Sequence, residues 1–207
     1  LTPVVKSYGS DMGFFVANQG VQVYGGYGYI ADYPMEQILR DSRIAPLFEG
    51  TNGIQALDLV SRKIAGERGA TMRAVLAQAA DLDARLAERQ SADLVAVRTR
   101  LVPAVRALAD ATEWVIDASQ NAPRDVAASA VPYLELAGTT LGGIVMAKAA
   151  LRAATQLESG QGDAAFYRTK LRTARFYAEH VLPMATALAQ TVISGASATL
   201  AVADAEF

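Results

Sequence analysis

The sequence predicts an all-α protein, and three observations carry that reading. Apolar residues recur at spacings of three and four along most of the 207 residues. No segment alternates apolar and polar residues with the period of two expected of a half-buried strand. Hydrophobic residues make up 52% of the chain, with Ala and Leu prominent, which is enough for a sizeable helical core. No repeat of fixed period is present.

Thr2-Pro3 is a helix start, because proline is tolerated in the first turn. Residues 4–23 follow as helix, with Phe14, Ala17, Val21 and Tyr24 at helical spacing. Gly25, Gly26 and Gly28 then break it into a turn. Pro34 opens a short helix carrying Met35, Ile38 and Leu39, and residues 44–50 form a loop. Thr51 is placed to cap a third helix that reaches about Ile64 through Ile54, Leu57 and Val60. Gly66 and Gly69 mark the sharpest change in composition. They divide the chain into a unit of residues 1–66 and a second unit of residues 67–207.

The second unit reads as four or five helices. Met72, Val75, Leu76, Ala79, Leu82 and Leu86 trace one apolar stripe, and Leu94, Val97, Leu101, Val105, Leu108 and Val115 trace another. Pro103 lies inside that second stripe and predicts a kink or a break. Asn121-Ala122-Pro123 is a turn. Residues 124–158 form one long, weakly charged segment rich in Ala and Gly. Ser159-Gly160-Gln161-Gly162-Asp163 is a further turn with Asp163 as a cap. The last helix starts at Ala164 and is expected to kink at Pro183.

Composition excludes several kinds of chemistry. There is no cysteine, so disulfides, thiolate metal sites and cysteine nucleophiles are ruled out. One histidine, His180, argues against a histidine metal site or a Ser/His/Asp triad. The net charge is -2 and the pI about 5.5, which gives no footprint for nucleic acid or an anionic membrane. Residues 65–207 hold 14 Lys and Arg against 15 Asp and Glu, so that unit carries no DNA-binding charge either. The longest nearly uncharged run, Leu136 to Ala147, is shorter than the ~20 residues needed to span a bilayer. No basic-then-apolar leader is visible, so a cytoplasmic location is expected. The chain is also expected to be a piece of a longer protein, since it opens inside a helix.

Chemistry concentrates in Phe48-Glu49-Gly50-Thr51-Asn52-Gly53-Ile54-Gln55. One carboxylate, Glu49, precedes a Gly-Thr step that opens a helix. Gly50 suits close approach of backbone to a ligand. Thr51, Asn52 and Gly53 supply free N–H groups and the positive end of the helix dipole. Upstream lie Gln22-Val23-Tyr24-Gly25-Gly26-Tyr27-Gly28-Tyr29 and Tyr33-Pro34-Met35-Glu36-Gln37-Ile38-Leu39-Arg40-Asp41. Taken singly, Glu-Gly-Thr is a helix N-terminus and Gly-Gly-x-Gly is a turn. In this order and spacing they resemble the C-terminal part of the acyl-CoA dehydrogenase flavoenzymes.

That resemblance covers about the first 64 residues. It implies FAD as cofactor, an acyl-CoA as substrate and Glu49 as the base that removes the α-proton while the β-hydrogen leaves as hydride. It places Gly50 against the substrate. Gln22, Gly25 and Gly26 match the Gln-x-x-Gly-Gly turn that touches FAD, usually in a neighbouring subunit, and Thr51, Asn52 and Gly53 match further FAD contacts. An electron-transfer flavoprotein and a homodimer or homotetramer are implied as partners. A metal is not. Ala56 departs from the family pattern, where an Arg often follows Ile-Gln. Arg40-Asp41 matches a step expected to be structural.

Residues from about 70 to 207 resemble the extra helical domain of longer family members. The most specific stretches are Phe166-Tyr167-Arg168 and Arg175-Phe176-Tyr177-Ala178-Glu179-His180-Val181-Leu182-Pro183. Within it, Gly138 and Gly142 permit close helix packing, His180 reads as structural, and Arg168, Lys170, Arg172 and Arg175 as a solvated basic face. The chain alone is expected to be inactive, because the parts that line most of the acyl-CoA pocket lie outside it. The rival reading is a non-catalytic helical scaffold for oligomerisation.

Overall fold

A computed structural model describes residues 1–206. Among them every regular element is helical. Helix α1, Thr2–Tyr24, starts with Pro3 in its first turn and ends at Gly25, whose φ of 61° lies in the left-handed region. A 3₁₀ turn, Gly25–Gly28, leads towards α2, Met35–Arg43. Helix α3, Asn52–Asp58, is capped by Thr51, whose Oγ1 accepts from the Ile54 N–H at 3.4 Å. It runs on as a π-helical stretch, Leu59–Ala65, in place of the regular helix expected there.

The turn at Gly66–Gly69 holds Arg68 and Gly69 at positive φ. Beyond it, α4 (Ala70–Ala87), α5 (Ala92–Asn121), α7 (Ala130–Ser159), α8 (Ala164–His180) and α9 (Met184–Ser194) form the main bundle. Two short helices, α6 (Pro123–Ala128) and α10 (Ala196–Thr199), pack on each other at its edge. Asp163 caps α8 as expected, its carboxylate accepting from Ala165 N–H at 2.8 Å and Phe166 N–H at 3.3 Å.

Two expectations, at Pro103 and Pro183, are corrected. Pro103 neither breaks α5 nor ends it. The proline and Thr99, whose carbonyl loses its i→i−4 partner, both face solvent, so water can take the vacant bond. Within residues 124–158, Ser129 separates α6 from α7, and its Oγ donates to Val192 O at 2.8 Å in the core. Pro183 does not kink the last helix. It divides α8 from α9, and Tyr177 O accepts the N–H groups of both Val181 and Leu182 at that end.

Helix α7 is the centre of the bundle. By length and composition it could cross a membrane, although the uncharged run within it looked too short in sequence. Most of its apolar window is buried by neighbouring helices, which is how a core helix passes the same test. Its glycines set the packing. A Cβ on Gly138 would stand 2.8 Å from Tyr8 Cβ and closer still to the ring. On Gly142 it would meet the Tyr177 phenol, and on Gly143 it would lie 2.6 Å from Leu182 Cδ2. The expectation that Gly138 and Gly142 serve close packing therefore holds. The Tyr177 hydroxyl donates to Thr139 O at 2.9 Å.

Between α5 and α7, Tyr133 is fully buried and its hydroxyl lies 2.8 Å from Thr112 Oγ1. Thr112 Oγ1 in turn donates to Leu108 O at 2.7 Å. One continuous core links the main bundle to α1 and α3 through Val4 and Ala56. Burial is nevertheless uneven. Among the described residues, 17 of the 26 large hydrophobic side chains left exposed fall in residues 1–57.

Candidate active site

The loop of residues 44–51 is built by two successive left-handed residues, Glu49 at φ 55° and Gly50 at φ 85°. Glycine takes this conformation freely, whereas glutamate does so at a cost of ~1–3 kcal/mol that the surroundings must offset. They do so with side chains. Gln55 Nε2 donates to Glu49 O at 3.1 Å, and Lys6 Nζ donates to Gly50 O at 2.8 Å. Asn52 N–H donates to Pro46 O at 3.1 Å and closes the loop on itself.

Asn52 ties the loop to α1. Its Oδ1 accepts from Lys6 Nζ at 2.8 Å and from Ser10 Oγ at 3.2 Å. Its Nδ2 donates to Asp11 Oδ1 at 2.7 Å and shares its second proton between Ser10 Oγ at 3.0 Å and Ser7 O at 3.2 Å. Lys6, Ser10 and Asp11 were not legible as site residues, because they lie 41–46 positions from Asn52 and carry no local signal. A cleft of about 230 Å³ opens beside this network, between α1, α3 and α7, and Met12, Asn52, Gly53, Ala56 and Leu134 help to line it.

The Glu49 side chain is exposed, with Leu47, Phe48 and Ile54 exposed around it. The N–H groups of Glu49, Gly50, Thr51 and Gly53 make no hydrogen bond among the described residues. Gly53 also has open space where a Cβ would sit. The loop thus presents a carboxylate, several free donors and an apolar fringe on one surface. It is suited to a polar group with an attached apolar chain.

Glu49, Gly50, Thr51, Asn52 and Gly53 are brought together beside the first half of α1. Gln22, Gly25 and Gly26 are not part of that group. Gln22 lies 11 residues beyond Asp11 along α1, or about 16 Å by helical rise. Gln22 is exposed, and a Cβ on Gly25 or Gly26 would meet nothing, so no internal packing demands glycine at either position. Beside this turn a cleft of about 400 Å³ is lined by Val21, Gly28, Tyr29, Glu36, Leu39 and Arg40. Arg40 pairs with Glu36 at 2.9 Å. Ala56 is fully buried in α3, which packs on α7.

In the second unit, Arg168, Lys170 and Arg172 are exposed, while Arg175 pairs with Glu179 at 3.0 Å and Asp93 at 3.3 Å. His180 is exposed and stacks on Phe176 with ring centroids 4.5 Å apart.

Comparison with known proteins sets these features in context. Residues 69–203 match the family described as acetyl-CoA dehydrogenase C-terminal like, and residues 1–65 match the acyl-CoA dehydrogenase C-terminal domain. The chain belongs to the acyl-CoA dehydrogenase family. It is 35% identical over 182 residues to 3-methylmercaptopropionyl-CoA dehydrogenase of Ruegeria pomeroyi, covering 88% of this chain and 31% of that protein. It is 36% identical over 185 residues to a butyryl-CoA dehydrogenase of Syntrophomonas wolfei, covering 87% and 30% respectively. The chain thus spans about a third of the length of the curated relatives it matches. An acyl-CoA dehydrogenase from Bacillus anthracis, solved in complex with FAD, superposes with a TM-score of 0.61 at 22% identity. That match covers 99% of this acyl-CoA dehydrogenase family chain and 33% of the other, and it supports the all-α fold.

Proposed function

We propose that the chain is the C-terminal part of an FAD-dependent acyl-CoA dehydrogenase in which Glu49 is the catalytic base. The observation that carries this reading is the Glu49–Gly50 left-handed pair, pinned to α1, with an exposed Glu49 and N–H groups that make no hydrogen bond among the described residues. Bound FAD supplies the hydride acceptor. Glu49 takes the α-proton of the acyl thioester, and its own N–H donates to the thioester oxygen as negative charge gathers there. Gly50 lets the thioester approach the backbone. The residues present fit the cofactor in one respect: Thr51, Gly53, Gln22, Gly25 and Gly26 are all exposed, and a Cβ on any of the three glycines would meet no neighbour. Asn52 fits it less well, since its amide is already engaged by Lys6, Ser7, Ser10 and Asp11.

The substrate is an acyl-CoA, and an electron-transfer flavoprotein is the expected electron acceptor. The exposed apolar side chains of residues 1–57 favour burial against further protein, in a homodimer or homotetramer. We place the division between the two units at residues 66 and 67, and the protein in the cytoplasm. By itself the chain is expected to be inactive and to hold FAD weakly, and near-stoichiometric flavin retained on the isolated chain would contradict this.

Anaerobic bleaching of the full-length parent protein by acyl-CoAs tests the reading. Bleaching by one chain class, abolished by Glu49→Gln, is the expected result. Turnover retained in Glu49→Gln would remove Glu49 from the mechanism, whereas no bleaching of the parent by any acyl-CoA would favour the scaffold reading.

A further inference from the structure

We infer that the helical bundle following residue 70 positions the Glu49 loop, through the contact of Tyr8 with Gly138, and that Gly138 and Lys6 are positioning residues for the reaction. The inference rests on Glu49 being the base. The route can be followed contact by contact. In α7, the backbone at Gly138 leaves room for the Tyr8 ring and for nothing larger than hydrogen on its own Cα. The Tyr177 hydroxyl holds the adjoining turn of α7 by donating to Thr139 O, so this stretch of α7 is itself fixed against α8. Tyr8 therefore sets how close α1 comes to the bundle and in what register.

The same two turns of α1 carry the loop. Lys6 and Ser10 flank Tyr8 and reach the Asn52 amide, and Lys6 also reaches Gly50 O. Gly50 O belongs to the residue that follows Glu49. A displacement of α1 against α7 is thus transmitted to the catalytic backbone through charged and polar side chains, with no loop between to absorb it. Helix α3 rests on α7 as well, so α7 supports the loop from both of its sides.

Gly138→Ala is the direct test. With Tyr8 Cβ at 2.8 Å from the added methyl, and ordinary contact starting at 3.4 Å, α1 has to move by several tenths of an ångström or more. Misplacement of a reacting group by ~1 Å can lower the rate on the order of a hundredfold. In the full-length parent we expect Gly138→Ala to lower kcat about tenfold or more, with flavin content and KM nearly unchanged. The probe is whichever of butyryl-CoA, octanoyl-CoA and palmitoyl-CoA bleaches the parent fastest. Lys6→Met is expected to lower kcat in the same way, and Lys6→Arg to restore most of it. Because both act along one route, the double variant Gly138→Ala/Lys6→Met is expected to lose less than the product of the single losses.

A merely structural role would lower the melting temperature and leave kcat at the parent value well below melting. That outcome, in folded Gly138→Ala and in Lys6→Met, overturns the inference. If Gly138→Ala does not fold, Tyr8→Leu, which loosens the same contact, decides in its place, and parent kcat in that variant overturns the inference. Loss of turnover in Glu49→Gln with parent kcat in all positioning variants would sink the positioning inference alone. Turnover retained in Glu49→Gln would sink the assignment of the base beneath it.

Discussion

The buried Thr112–Tyr133 pair makes a quantitative prediction that rests on the direction of its hydrogen bonds. Thr112 has one hydroxyl proton and gives it to Leu108 O at 2.7 Å. The 2.8 Å contact with Tyr133 must then carry the Tyr133 proton, with Thr112 Oγ1 accepting. Thr112→Val keeps the shape and removes the acceptor, leaving a fully buried phenol with no partner. An unpaired buried donor costs ~1–3 kcal/mol. Tyr133→Phe removes the donor instead, and Thr112 keeps its bond to Leu108 O, so the loss is only that of one hydrogen bond, ~0.5–1.5 kcal/mol. With both partners apolar the double variant has no orphan, and its loss is expected to fall below the sum of the single losses by about 1 kcal/mol. Urea unfolding at constant m-value measures all three. Additive losses, or a Thr112→Val variant no less stable than Tyr133→Phe, would refute the assigned proton direction.

Other expectations follow from the same structure. Asp163→Ala removes the side chain that accepts from Ala165 and Phe166 N–H, and is expected to cost about 0.5–2 kcal/mol, read as a lower urea midpoint. Gly142→Ala drives a methyl against the Tyr177 phenol and is expected to cost about 1–3 kcal/mol, whereas Gly142→Ala/Tyr177→Phe recovers part of it. Burial pushes the Tyr133 and Tyr177 phenols up from their ordinary value of 10.0. As pH rises past about 10 the unfolded chain loses these protons while the folded chain keeps them, so stability is full below that pH and declines above it. Tyr133→Phe is expected to make the alkaline decline shallower in a pH series of melting temperatures, and an unchanged slope would count against the shift.

Much of the helical pattern was legible because apolar spacing survives without tertiary context. The Asp163 cap and the close packing at Gly138 and Gly142 were readable for the same reason, since they depend on residue type at a local position. The errors fall where tertiary contacts decide. Pro103 reads as a breaker until its face is known to be the wet one. The boundary between α6 and α7 at Ser129 was not foreseen either, since its bond to Val192 O spans 63 residues. At the site, the order of Gln22, Gly25, Gly26, Glu49 and Gly50 pointed to a chemistry. Lys6, Ser10 and Asp11, which hold the loop through Asn52, gave no sign, because a hydrogen bond across more than 40 residues has no period.

The uneven burial has a consequence for how the chain comes apart. Of the buried hydrophobic side chains in the core shared with the bundle, residues 1–57 supply only Val4 and Ala56. Their attachment to the bundle rests on these, on Tyr8 against Gly138 and on the polar ties around Asn52. Opening of α1 to α3 therefore demands less free energy than opening of α5 and α7, whose side chains form the densest core. In the isolated chain, amide protons of the first segment would exchange in a faster cooperative class than those of α7, and a protease would trim that segment while the bundle stays intact. The stretch proposed to carry the chemistry is thus the one with the fewest side chains anchored in the core.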